Sequence, residues 1–118
     1  MKKNVIKEKS FDFAIEIVKA YKSLIKMHQE YVMSKQLLRC GTSVGALYRE
    51  AEYAESKKDF IHKMGIAQKE CNETLYWLEL LYKTEYLTKV EFDSLIKKAQ
   101  ELMRLITSII RTSKGLNN

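Results

Sequence analysis

Proline is absent from this 118-residue chain and glycine occurs four times. Long helices are therefore unobstructed, since proline is the residue that removes an intrahelical hydrogen bond and clashes with the preceding turn. Cysteine is nearly as scarce, and Cys40 and Cys71 show no CxxC spacing. This argues against a zinc site and against thiol redox chemistry. No run approaches the roughly 18 apolar residues that a membrane span needs. Without an apolar leader or an arginine-rich transit segment, the expected location is the cytoplasm. The Asn72-Glu73-Thr74 glycosylation match then has no compartment in which to act, and it falls mid-helix.

Histidine occurs twice. A di-iron bundle requires paired Glu-x-x-His motifs on two helices, whereas this chain offers Asp59-x-x-His62 alone and a Glu70/Glu73 pair without a histidine. No metal and no cofactor is expected. Thr42 and Ser43 lie mid-helix without a recognisable base, and the small residues around them lack the Gly-x-x-x-x-Gly-Lys pattern of a phosphate loop. No catalytic residue is assigned, and the chain is read as a non-enzyme.

What is present is a helix-forming composition rich in Ala, Leu, Glu, Lys, Ile and Met. A chain of this length buries roughly two-thirds of its unfolded surface on folding, so residues 1–118 are read as one domain. Its predicted fold is all-α, an antiparallel up-down-up-down four-helix bundle with helices at about 10–27, 34–54, 57–84 and 89–112. Residues 1–9 read as a frayed polar lead-in and 116–118 as a loose end. Ser10 is the expected N-cap of the first helix, where Phe11, Ala14, Ile15, Val18, Tyr21 and Ile25 form one apolar row and Phe13, Ile17, Ala20 and Leu24 a second. Two rows predict burial on two sides. A turn is expected at 28–31, with Ser34 capping the second helix, in which Leu37, Leu38, Gly41, Val44, Gly45 and Tyr48 share a face. Arg39, Ser43, Ala46 and Glu50 line the opposite face.

Ser56 with Asp59 and Thr88 with Glu91 are the capping signals of the third and fourth helices. The third carries a heptad of Phe60, Met64, Ala67, Cys71, Thr74, Leu78 and Leu81. A separate row of Ile66, Tyr76, Trp77 and Leu80 projects from its other side, which marks a candidate oligomer interface. Phe92, Leu95, Ala99, Leu102, Ile106 and Ile109 keep helical spacing in the fourth helix, and Gly115 is placed as its stop.

The net charge of +6 is unevenly distributed. Residues 1–36 carry +4, residues 37–86 carry −1 and residues 87–118 carry +3. In an up-and-down bundle the first and last helices are neighbours, so the two excesses would share a side. Lys19, Lys22, Lys26, Lys97, Lys98, Arg104 and Arg111 are the candidate phosphate contacts. A merely solvating lysine surface is the alternative, favoured by Glu8, Asp12 and Glu16 among the lysines.

The segment from Gln36 to Phe60 is the most distinctive. It holds Gln36-Leu37-Leu38-Arg39, Gly41-Thr42-Ser43-Val44-Gly45-Ala46, Arg49-Glu50-Ala51 and Ala54-Glu55-Ser56-Lys57-Lys58-Asp59-Phe60. Small residues flanked by Arg39 and Glu50 fit close helix packing with a polar pair. This pattern resembles the four-helix-bundle family of 23S rRNA intervening-sequence proteins. The likeness continues through Lys63-Met64, Ile66-Ala67, Lys69 to Thr74 and Trp77 to Leu81, and reaches back to Phe11, Ala14, Ile17-Val18 and Tyr21. Cys40 stands where Ser is usual and Leu47 where Asn is common.

The resemblance implies a bundle that assembles into a ring, a pentamer. Such members are encoded within insertions in ribosomal RNA genes, and the similar accessory proteins of diversity-generating retroelements bind nucleic acid. The expected function is thus non-enzymatic binding of structured RNA by a homo-oligomer. A ring-forming protein scaffold that binds no nucleic acid is the alternative.

Overall fold

The computed structural model describes residues 4–116. Four helices follow in order: α1 at Val5–His28, α2 at Met33–Ala51, α3 at Lys57–Lys83 and α4 at Lys89–Ser113. The molecule is a rod of 45 × 26 × 26 Å, matching the roughly 40 Å expected of a 27-residue helix at about 1.5 Å per residue. Each helix packs on its sequence neighbours, α4 closes onto α1 by the sparsest of these contacts, and among the described residues no diagonal pair brings its backbones together. This is the expected up-and-down arrangement.

α1 begins earlier than its sequence suggests. Its N-cap is Asn4, whose side chain accepts from the Lys7 N–H at 3.2 Å. Ser10, the expected cap, lies inside the helix, buried, with its hydroxyl donating to the Lys7 carbonyl at 3.2 Å. Val5 to Lys9 are therefore helical and not a frayed lead-in; residues 1–3 and 117–118 lie outside the described residues. Burial also falls on one side only. Phe13, Ile17 and Leu24 are buried, whereas Phe11 is 51% and Ile15 40% exposed. In the first apolar row of α1, Phe11 and Ile15 are thus an outer face, while Ala14, Val18, Tyr21 and Ile25 are half-buried.

The connection at 29–32 is capped in a way that spacing did not reveal. Gln29 takes the left-handed conformation (φ 51°) and its N–H bonds the Ile25 carbonyl, an αL stop made without glycine. Glu30 then turns its carboxylate inward to accept from the N–H groups of Val32 (3.1 Å), Met33 (3.1 Å) and Ser34 (2.6 Å). It satisfies the open donors of α2 that Ser34 was expected to cap; the Ser34 hydroxyl instead donates to the Glu30 carbonyl. α2 ends at Ala51, three residues before the expected boundary.

The other capping signals act as their sequence predicts. The Ser56 hydroxyl accepts from the Asp59 N–H, and Thr88 with Glu91 forms a complete capping box. Gly115 stops α4 at φ 74°, with bonds from Gly115 to Thr112 and from Leu116 to Arg111. Glu85 (φ 69°) ends α3 in the same geometry, with Glu85 bonding Tyr82 and Tyr86 bonding Leu81. On α3, Met64, Ala67, Cys71, Thr74, Leu78 and Leu81 are buried, as the heptad requires. α4 adds Leu95, Ala99, Leu102 and Ile106, with Ile110 rather than Ile109 completing the row. Each fully buried Leu, Ile or Phe contributes roughly 1.5–3 kcal/mol.

Candidate nucleic-acid interface

All seven candidate cations lie on α1 and α4 and are exposed, but Arg104 and Arg111 share their cleft with Thr107, which accepts from Gln68 of α3, so these two border α3 and not α1. Antiparallel packing sets their order along the rod. Lys9 bridges Glu101 at 3.1 Å, while Ser23 and Leu24 line a groove with Leu87, Val90 and Ser94 near the start of α4. Lys19, Lys22 and Lys26 therefore stand at one end, Lys97 and Lys98 near the middle, and Arg104 and Arg111 towards the other end. From Lys97 to Arg111 the rise is about 21 Å at about 1.5 Å per residue. The cations form a spaced series along the rod and not one cluster.

Carboxylates interrupt that series. Glu16 pairs with Lys19 at 3.5 Å, and Glu16 and Glu91 border the groove. Arg111 donates to the Leu116 carbonyl at 3.1 Å and shares a shallow cleft of about 320 Å³ with Arg104, Thr107 and Ser108. Among the described residues Lys22, Lys26, Lys97, Lys98 and Arg104 have no carboxylate partner. Lys35 on α2 and Lys83 on α3, which the charge reading of α1 and α4 did not reach, stand at the end occupied by Lys22 and Lys26.

The central segment acts in packing. Gly41 and Gly45 are buried against α1. A Cβ on Gly41 would lie 2.8 Å from Ile17 Cγ1, and one on Gly45 would lie 3.3 Å from Ser10 Oγ and 3.4 Å from the Ser10 carbonyl. That explains why glycine is accepted mid-helix at a propensity cost of about 1 kcal/mol each. The hydroxyls of Thr42 and Ser43 turn back onto the Leu38 and Arg39 carbonyls at 2.6 and 2.5 Å. Ala46 is exposed.

Arg39 and Glu50 do not pair with each other. Arg39 reaches α3, where its guanidinium bonds Glu70 at 3.0 Å and also Glu73. Glu50 faces Lys63 at 3.7 Å. The physical reason is register: both residues project from the outer face of α2 towards α3, which runs antiparallel and presents a separate partner to each. The Trp77 indole N–H donates to Glu73 at 2.9 Å and, together with Arg39, holds that carboxyl below its usual range.

The outer row of α3 is less open than its spacing implied. Ile66, Trp77 and Leu80 are half-buried, and Tyr76 is exposed with its ring edge-on to Trp77. The larger exposed apolar row is on α1, where the Arg49 guanidinium sits 5.1 Å above the Phe11 ring.

Nothing in this arrangement resembles an activated nucleophile. Both cysteines are buried, and burial raises both thiols, Cys71 to about 12. His62 is exposed, and among the described residues no group of three or more potential ligands is placed to hold a metal. No described helix is long and apolar enough to cross a membrane.

The family model described as 23S rRNA-intervening sequence protein matches residues 2–108. The chain belongs to that family. A solved structure, a protein of unknown function from the S23 ribosomal protein family of Bacteroides thetaiotaomicron, is similar to this intervening-sequence protein at 53% identity. The match covers 90% of this chain and 98% of that one, with a TM-score of 0.89. No curated protein sequence matches it. The matched region includes Gln36 to Phe60, whose glycines serve helix packing and whose Arg39 and Glu50 bridge to α3.

Proposed function

We propose that this protein is a non-enzymatic, cytoplasmic homo-oligomer that binds structured RNA through the cations of α1 and α4. The observation that carries the reading is the set of exposed cations on α1 and α4 without a carboxylate partner among the described residues, Lys22, Lys26, Lys97, Lys98 and Arg104, spaced along the length of the rod. Phosphates are also spaced along a helix, and contact with them needs only cations at intervals. The family name, which refers to an intervening sequence of 23S rRNA, supports RNA as the nucleic acid. Binding of this kind is largely sequence-independent and falls steeply with salt. Filter retention of a structured RNA at low salt, lost as salt rises, is the expected result; no retention, or retention indifferent to salt, would overturn the proposal.

Assembly into a ring, a pentamer in the preferred form, would repeat a weak patch and raise its avidity. The α3 row of Ile66, Tyr76, Trp77 and Leu80 and the exposed α1 row of Phe11 and Ile15 are the candidate contact surfaces. Two different surfaces suit a ring, because a closed cyclic assembly joins unlike patches. Trp77→Asp or Leu80→Asp should lower the assembled mass in light scattering, and an unchanged mass would remove the α3 row from the interface.

One observation favours the scaffold alternative. Glu16 and Glu101 stand on the proposed RNA side and neutralise Lys19 and Lys9. Reversing Lys97, Lys98 and Arg104 to Glu distinguishes the two readings, since equal RNA binding before and after would support the scaffold.

A further inference from the structure

The end of the rod formed by residues 29–32 and 84–88 combines three features. It exposes apolar and aromatic side chains, with Met27 69%, Tyr31 53% and Val32 72% exposed. Lys26 and Lys35 lie within one helical turn of them in the chain, with Lys22 a further turn back along α1, all exposed and without a carboxylate partner among the described residues. Its backbone is also held fixed on both sides of Tyr31. Gln29 is locked in the αL stop, and the Glu30 carboxylate ties down the N–H groups of Val32, Met33 and Ser34. Because Glu30 faces inward, the one acid of this turn is occupied by backbone and Tyr31 is left outside.

The adjoining turn continues the surface. His28 meets Tyr86 edge to face at a centroid distance of 5.6 Å. A shallow cleft of about 430 Å³ opens beside this pair, lined by Tyr82, Lys83, Thr88 and the one exposed acid of the 84–88 turn, Glu85, among others. Tyr82 has one face stacked on Phe92 and Lys83 above its ring at 5.9 Å.

We propose that this end takes unpaired nucleotides of a structured RNA, with a base stacked on Tyr31 and the flanking phosphates held by Lys26 and Lys35. The inference rests on the RNA-binding reading above and adds a second kind of contact to it. Base stacking on an aromatic ring tolerates any base, since each has a π-face, and needs flanking cations for the phosphates. A prefixed turn lowers the ordering cost of binding. RNA is favoured over a lipid surface because the apolar groups here are three side chains at a tip, whereas stable interfacial binding draws on a long amphipathic face or an added lipid chain.

The test is fluorescence anisotropy with two labelled RNAs of the same stem, one a hairpin with an unpaired loop and one a blunt duplex. The full chain should bind the hairpin more tightly. Tyr31→Ala should weaken hairpin binding by about fivefold or more and leave duplex binding and helical circular dichroism unchanged, while Tyr31→Phe should retain wild-type affinity. Equal affinities of Tyr31→Ala and wild type for the hairpin, or equal losses on hairpin and duplex, would overturn the stacking role alone. Failure of the wild type to bind either RNA would overturn the RNA-binding reading and this inference with it. Vesicles containing phosphatidylserine form the third arm, and Tyr31-dependent binding to them in preference to RNA would assign the tip to membrane contact instead.

Discussion

The two ends of the bundle use their charges in opposite ways. At the α2–α3 end, several acids and bases are tied together. Lys7 bridges Glu52 at 3.1 Å, Asn4 bonds Tyr48 at 2.9 Å and Glu52 at 3.3 Å, and Lys63 faces Glu50. Lys57 and Lys58 are the exception at this end, exposed and without a carboxylate partner among the described residues, while the Asp59 carboxylate accepts from the Glu55 N–H. At the α1–α2 end, Glu30 is spent on backbone, Glu85 of the adjoining turn is exposed, and Lys22, Lys26 and Lys35 are left without carboxylate partners among the described residues. Charge that closes the fold is locally neutralised; charge left unneutralised on a fixed scaffold is available to a polyanion.

The comparison is broken most severely at the closed end. Gly45→Leu drives a side chain into Ser10, whose Oγ and carbonyl already lie within 3.4 Å of where its Cβ would sit. A loss of about 3 kcal/mol is expected from overpacking of a helix seam with no room to yield, measured by chemical denaturation. Wild-type stability would mean that the α1–α2 seam is not closed as described. Next in size is the double reversal Lys22→Glu with Lys26→Glu at the open end. RNA affinity should fall about tenfold or more at moderate salt and the salt slope should shrink by about two, as for two lost phosphate contacts, with the thermal transition unmoved. The matching reversal of Lys57 and Lys58 should have much less effect on RNA; equal losses at both ends would erase the distinction.

A smaller effect is expected at Glu30. Burial pulls its carboxyl up, but the N–H groups of Ser34, Met33 and Val32 outweigh that and hold it below its ordinary value of 4.5. A carboxyl depressed in the folded state stabilises above its unfolded pKa, and that contribution disappears as pH falls below about 4.5. Glu30→Ala should therefore cost about 1–2 kcal/mol at neutral pH, the scale of a lost helix cap, and the gap to wild type should narrow in acid. A gap that widened in acid would contradict the sign. Smallest is Lys7→Ala, which breaks a partly exposed pair and should shift stability by no more than about 0.5 kcal/mol; a loss of several times that would make the Lys7–Glu52 contact a structural anchor.

Legibility in the sequence followed the range of the interaction. The α3 heptad, the Thr88–Glu91 box, the Ser56 cap and the Gly115 stop depend on residues within a turn or two of one another, and each was readable from spacing. Ser10 misled because a serine ahead of an apolar row has the same local pattern whether it caps a helix or faces Gly45 across a helix seam. Asn4, also a capping residue type, is followed by Val5 and Ile6 and then by Lys7, Glu8 and Lys9, a charged stretch that separates it from the apolar rows. Glu30 was missed because its carboxylate reaches forward across the turn to donors usually served by Ser, Thr, Asp or Asn at the cap itself. Arg39 and Glu50 looked like a pair because they bracket one segment, but their partners on α3 are set by the register between helices, which no single-helix periodicity contains. The exposed tip around Tyr31 was invisible for a similar reason, since Lys35, Lys83 and Tyr31 come together only through two turns.

The central claim is that the free cations of this bundle serve RNA, and the most direct measurement is the salt dependence of binding to a structured RNA by the intact wild-type protein. A steep linear fall of log affinity with log salt, made shallower by reversing Lys22 and Lys26, is the predicted result. Binding that is absent at low salt, or that is unaffected by salt and by those reversals, would contradict it.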